Sequence, residues 1–115
     1  MSQLNQKSCE ACHVAAETVK IEEMEALLQQ IPEWIVQKQN GIAQLERQYH
    51  FKKYKTAVEF ANSVANLAET ENHHPALLIE WGKVQVSWWT HAIKGLHQND
   101  FICAAKTDNL YAMFK

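Results

Sequence analysis

Apolar residues recur along this chain with two alternating periods. Ile21, Met24, Leu27, Leu28 and Ile31 stand at helical spacing, with Glu, Ala and Gln between them. Pro32 is expected to close that helix, because the residue before a proline is pushed out of the α region. Residues 34–38 and 42–51 then read as strands joined by Asn40-Gly41, a pair suited to a type I′ turn. In the second strand Ala43, Leu45, Tyr49 and Phe51 share one face, and Gln44, Glu46, Gln48 and His50 share the other. From Tyr54 to about Ala68 the period is helical again, with Tyr54, Val58, Ala61, Val64, Ala65 and Ala68 as its stripe. A second hairpin spans residues 76–81 and 83–90, with Gly82 predicted at the first central position of a type II′ turn. There Val84, Val86 and Trp88 face one way, and Gln85, Ser87, Trp89 and His91 the other. A last helix runs from about Gln98 to Phe114, with Cys103, Thr107, Leu110 and Phe114 as its stripe.

The order α-β-β-α-β-β-α predicts an α+β two-layer sandwich: a four-stranded antiparallel sheet with three helices on one face. The other sheet face is left to water or a partner. Residues 1–17 read as an N-terminal extension and 18–115 as a single domain. A chain of 115 residues can bury about two-thirds of its unfolded surface, enough for a core without disulfide staples.

Eleven Lys and Arg against thirteen Asp and Glu leave a formal charge of −2. That balance offers no electrostatic handle for nucleic acid or an anionic membrane. No apolar run approaches the roughly 20 residues that span a bilayer, and residues 1–7 lack the apolar segment of a secretory signal. The expected compartment is the cytoplasm. Three cysteines, an odd number, agree with a reducing environment. Cys9 and Cys12, followed by His13, have zinc-knuckle-like spacing, but no second ligand pair matches them. Cys103 lies in an apolar stretch and is expected in the core.

Six His and four Trp are unusual in so short a chain. The densest polar cluster is Glu71-Asn72-His73-His74-Pro75, between the second helix and the third strand. Pro75 cannot donate to a ladder, so it belongs at the strand's start. Neighbours on an extended segment point oppositely, so His73 and His74 need not share a role. His91 ends the fourth strand, and a matched hairpin brings it near His73 and His74. Asp100 follows nine residues later in a first helical turn, where the helix dipole favours it. Three readings stay open: imidazole acid–base chemistry, a three-His metal site for which diverging neighbours are poor chelators, or surface and capping residues. No Ser-His-Asp order, Gly-rich phosphate loop or H-E-x-x-H helix is present.

At these residues the sequence resembles the pterin-4a-carbinolamine dehydratases. The likeness lies in Glu69-x-x-x-His73-His74-Pro75, Lys83-Val84 and Thr90-His91-x-x-x-Gly95-Leu96-x-x-x-Asp100, extends to Ile31-Pro32-x-Trp34, and covers roughly residues 20–114. Residues 76–83 and the pair Trp88-Trp89 look most like bacterial members associated with phenylalanine hydroxylase. The resemblance implies a hydro-lyase that dehydrates 4a-hydroxytetrahydropterin to quinonoid dihydropterin, recycling the hydroxylase cofactor. It implies a homodimer or homotetramer and requires no metal or organic cofactor. By similarity His73 and His91 would be the acid–base pair, His74 would mainly hold the pterin, and Pro75, Asp100 and Trp81 would complete the substrate site. Asp100 would orient a His or meet the substrate. Trp88 and Trp89 read as pocket walls or as packing. Where many members carry a capping Ser or Thr partnered with Asp100, this chain has His97, expected to weaken the cap and face solvent. The alternative function is a protein-binding module, a dimerisation cofactor or transcriptional coactivator, as animal members act for a homeodomain factor.

Overall fold

The computed structural model describes Leu4 and residues 21–114. Helix α1 is Ile21–Leu28, strand β1 Ile35–Gln39, β2 Ile42–His50, helix α2 Tyr54–Glu71, β3 Ala76–Glu80, β4 Lys83–Trp88 and α3 Gln98–Ala112, with a 3-10 turn at His91–Ile93. The strands form one antiparallel sheet in the order β1-β2-β4-β3. This is the α+β arrangement that the alternating periods predict. Register pairs Leu45 with Trp88 and Tyr49 with Val84, so one sheet face carries a continuous apolar layer. It joins Ala57, Phe60, Ala61, Val64 and Ala68 of α2 and Phe101 to Ala105 of α3 in a single core. Cys103 lies in that core, fully buried.

Four local expectations change. Helix α1 stops at Leu28, before Pro32: the amides of Gln30 and Ile31 turn back to Leu27 and Leu28 in the tighter i→i−3 pattern. Along α2 the buried stripe is Ala57, Phe60, Ala61, Val64 and Ala68. Tyr54 is 51% exposed, because Phe60 supplies the large ring the core needs and turns the helix by about one position. In the second hairpin Glu80 pairs with Lys83, so the loop is Trp81-Gly82 and Gly82 stands second, with φ +77. A Cβ there would meet Phe51 O at 3.2 Å. Asn40 and Gly41, by contrast, have φ 54 and 79, as a type I′ turn needs. The fourth change concerns the N-terminus. Leu4 is 1% exposed within the core, and its amide donates to Gln30 Oε1 at 3.1 Å. Cys9, Cys12 and the boundary between residues 17 and 18 lie outside the described residues.

One polar cluster ties the sheet to α3. Asp108 Oδ1 accepts from Trp34 Nε1 at 3.0 Å, Arg47 Nη1 at 2.6 Å and the Tyr49 hydroxyl at 2.5 Å. The Arg47 guanidinium also lies over the Tyr49 ring, 4.4 Å from its centre. Burial, with the Asp108 charge second, holds the Tyr49 hydroxyl far above the usual tyrosine range.

Candidate active site

The site is built where α2 ends. Asn72 takes the left-handed conformation, φ 52 and ψ 43, which asparagine tolerates better than most residues. The amides of Asn72 and His73 close back on the carbonyls of Glu69 and Ala68, as in a Schellman cap. That turn sends His73 inward. The residue is 3% exposed, and its ring stacks on Trp88, with centres 5.5 Å apart and an interplanar angle of 11°.

Behind His73 stands Asp100, fully buried. His73 Nε2 donates to Asp100 Oδ1 at 2.6 Å. Asp100 Oδ2 accepts from the Thr90 hydroxyl at 2.9 Å and from the His97 amide at 2.8 Å. A buried carboxylate with three donors is a satisfied one. Because the donors all converge on the carboxylate, the proton of the shared bond is assigned to His73 Nε2.

His97 departs from expectation. It is 8% exposed and caps α3: its Nδ1 accepts from the Asn99 amide at 3.0 Å, while Asp100 reaches back to the His97 amide. An imidazole nitrogen at that position reaches an early helical amide as a hydroxyl oxygen would, so the capping box survives.

His74 points away from His73, as alternation requires. It is exposed, and its Nε2 donates to Glu69 Oε1 at 2.9 Å. Pro75 is half-buried immediately before β3. At the far end of the hairpin strand, His91 is exposed at the start of the 3-10 turn. Its ring packs against Trp89, with centres 4.5 Å apart. Consecutive residues leaving β4 thus hold different imidazoles, Trp88 under His73 and Trp89 beside His91.

His73, His74 and His91, with Asn72 and Ala92, line one open cleft of about 410 Å³. That size lies within the range of small-molecule sites. Of the expected site residues, Pro75 follows His74 in the chain but is not part of that lining, and two more are set apart from it. Asp100 lies behind His73, enclosed and already hydrogen-bonded, so it meets the imidazole and not the cleft. Trp81 is 77% exposed in the β3–β4 loop, at the other end of the hairpin from His74 and His91. Sequence reasoning missed Thr90 as a donor to Asp100, although its place in Thr90-His91 was a usable signal. Among the described residues no three His, Cys, Asp or Glu side chains converge as metal ligands. No helix there is long and apolar enough to cross a membrane.

Comparison with known proteins agrees with the architecture. Residues 17–110 match the family described as pterin 4 alpha carbinolamine dehydratase. A Saccharophagus degradans protein named for that dehydratase is 54% identical over 96% of this chain and 98% of its own. A Photobacterium profundum protein of the same name is 56% identical over 94% of this chain and 96% of its own. Among solved structures, a transcriptional coactivator/pterin dehydratase from Brucella melitensis superposes with a TM-score of 0.73 at 29% identity, covering 82% of this chain and 98% of that one. A pterin dehydratase-like protein identified as a RuBisCO assembly factor in the alpha-carboxysome shares the fold, with a TM-score of 0.59 at 21% identity over 69% of this chain and 89% of that one.

Proposed function

The chain belongs to the pterin 4 alpha carbinolamine dehydratase family, and on that premise we propose that it dehydrates a 4a-hydroxytetrahydropterin by histidine acid–base catalysis. The observation that carries the reading is the cleft lined by His73, His74 and His91. Dehydration breaks the C4a–O bond and the N5–H bond. One imidazolium protonates the departing hydroxyl as water, and one neutral imidazole takes the N5 proton, leaving the quinonoid dihydropterin. His73 and His91 form that pair. The Asp100 carboxylate orients His73, while His91 sits exposed against Trp89. His74, exposed beside Glu69, hydrogen-bonds the pterin, and Pro75 shapes the approach. All these steps use the chain's own side chains.

The product feeds the cofactor cycle of an aromatic amino acid hydroxylase, in a cytoplasmic setting that the odd cysteine count supports. Homo-oligomeric assembly has a physical motive in the sheet's open edges. Ile35 and Val36 on β1, and Leu78 and Ile79 on β3, are exposed apolar residues on edge strands.

Stopped-flow absorbance of 4a-hydroxytetrahydropterin decay tests the reaction. Wild type should outpace buffer, with His73→Ala and His91→Ala each slowing decay by about 10²-fold or more, the usual worth of a general acid or base. Decay no faster than buffer, or both variants at the wild-type rate, would overturn the reading.

A further inference from the structure

We infer that Thr90, which lines no part of the cleft, is the positioning residue that couples His73 to His91. This deepens the proposed reaction and rests on it. Thr90 is fully buried and makes two kinds of connection. Its hydroxyl donates to Asp100 Oδ2 at 2.9 Å, and the other oxygen of that carboxylate holds His73. Its backbone closes the loop that carries His91. The Thr90 amide donates to Gly95 O at 2.8 Å, the Gly95 amide returns to Thr90 O at 3.4 Å, and the Ile93 amide donates to the same Thr90 carbonyl at 3.3 Å.

The loop so closed is residues 91–94, with Lys94 left-handed at φ 51. Both candidate proton carriers are therefore referenced to one residue, through its side chain on one side and its main chain on the other. The two attachments have different chemistry. The main-chain strap survives any substitution that keeps an extended backbone, whereas the side-chain link needs a hydroxyl. Without the hydroxyl, Asp100 Oδ2 keeps the His97 amide but loses its side-chain donor, inside a site that excludes water. The carboxylate is then held by two donors instead of three, and the partner of the His73 Nε2 proton is less firmly fixed. Proton transfer depends steeply on that alignment, because misplacement of about 1 Å in a catalytic group costs up to 10²-fold in rate.

Thr90→Val keeps the shape and the strap and removes the hydroxyl; Thr90→Ser keeps the hydroxyl. In carbinolamine decay, Thr90→Val should lose about tenfold or more in kcat with KM within about twofold of wild type, and Thr90→Ser should restore kcat to within about threefold. Imidazole nitrogen–proton NMR gives a readout that a packing role would not move. Wild type should show His73 protonated at Nε2, and Thr90→Val should show a mixture of tautomers. A folded Thr90→Val with wild-type kcat and an unchanged His73 tautomer would overturn the inference. So would a folded Thr90→Ser that loses rate as far as Val. If Val does not fold, Thr90→Ser is judged against wild type: kcat within about threefold, with His73 protonated at Nε2, supports the inference, and a loss of about tenfold or more overturns it. If wild type does not accelerate carbinolamine decay at all, the proposed reaction fails, while the tautomer comparison still decides the role of Thr90.

Discussion

Asp100 shows how one side chain can satisfy two demands that compete when only the sequence is in view. An acidic residue in the first turn of a helix is favoured by the dipole whatever else it does, and a carboxylate near histidines can orient one of them. The two oxygens divide the work, Oδ2 closing the capping box and Oδ1 holding His73. His97 completes the same cap, and its unusual identity at that position makes a test. His97→Ala should destabilise the protein by roughly 0.5–2 kcal/mol, the range for losing an N-cap acceptor, while His97→Ser should stay near wild type. Urea unfolding distinguishes them. Equal midpoints for wild type and His97→Ala would show that the imidazole contributes no capping energy.

At the scale of elements, the hairpin logic that brings His91 to His73 was legible, because it needs only a strand beginning after Pro75 and another ending near His91. The exposure of each ring was not. It depends on the left-handed turn at Asn72 and on which tryptophan each imidazole meets. Helix stripes are legible to within one position, and the α2 stripe is displaced because Phe60, not Tyr54, supplies the buried ring. Turn geometry was legible in the first hairpin, where Asn-Gly admits one reading. In the second it was not, because Gly82 fits either central position until the strand register is known. That difference predicts a contrast between two glycines of similar φ. A methyl on Gly41 would have nothing within 4 Å, whereas a methyl on Gly82 would press Phe51 O at 3.2 Å. Gly41→Ala should cost about 1 kcal/mol from backbone conformation alone. Gly82→Ala should cost more, since the strand contact between Phe51 N and Gly82 O, 2.9 Å, must also move. Equal losses in urea unfolding would mean that the Phe51 contact yields without cost.

For the molecule as a whole, the least legible features are those that join distant segments. Leu4 sits in the core although its neighbourhood reads as an extension, since a single apolar residue in a polar stretch leaves no periodic trace. The Asp108 cluster is similar, drawing Trp34, Arg47 and Tyr49 from the sheet side onto α3 across at least 59 residues of sequence. Tyr49 gives this clasp a pH signature with a definite sign. Its folded-state pKa is raised above the ordinary value of 10.0, by burial first and by the Asp108 charge second. Below about pH 10 both the folded and unfolded states carry the phenol proton, and stability is unaffected by its titration. Above that value the unfolded chain releases the proton while the folded chain retains it, so stability falls as pH rises. The slope from this one group approaches about 1.4 kcal/mol per pH unit. Tyr49→Phe removes the titration and keeps the ring. Urea unfolding of both proteins from about pH 8 to 11 should therefore give parallel stabilities up to about pH 10. Beyond it the wild type should decline more steeply than Tyr49→Phe. Curves that remain parallel throughout would mean that Tyr49 ionises as easily in the folded protein as in the unfolded chain, and that the clasp does not hold its proton.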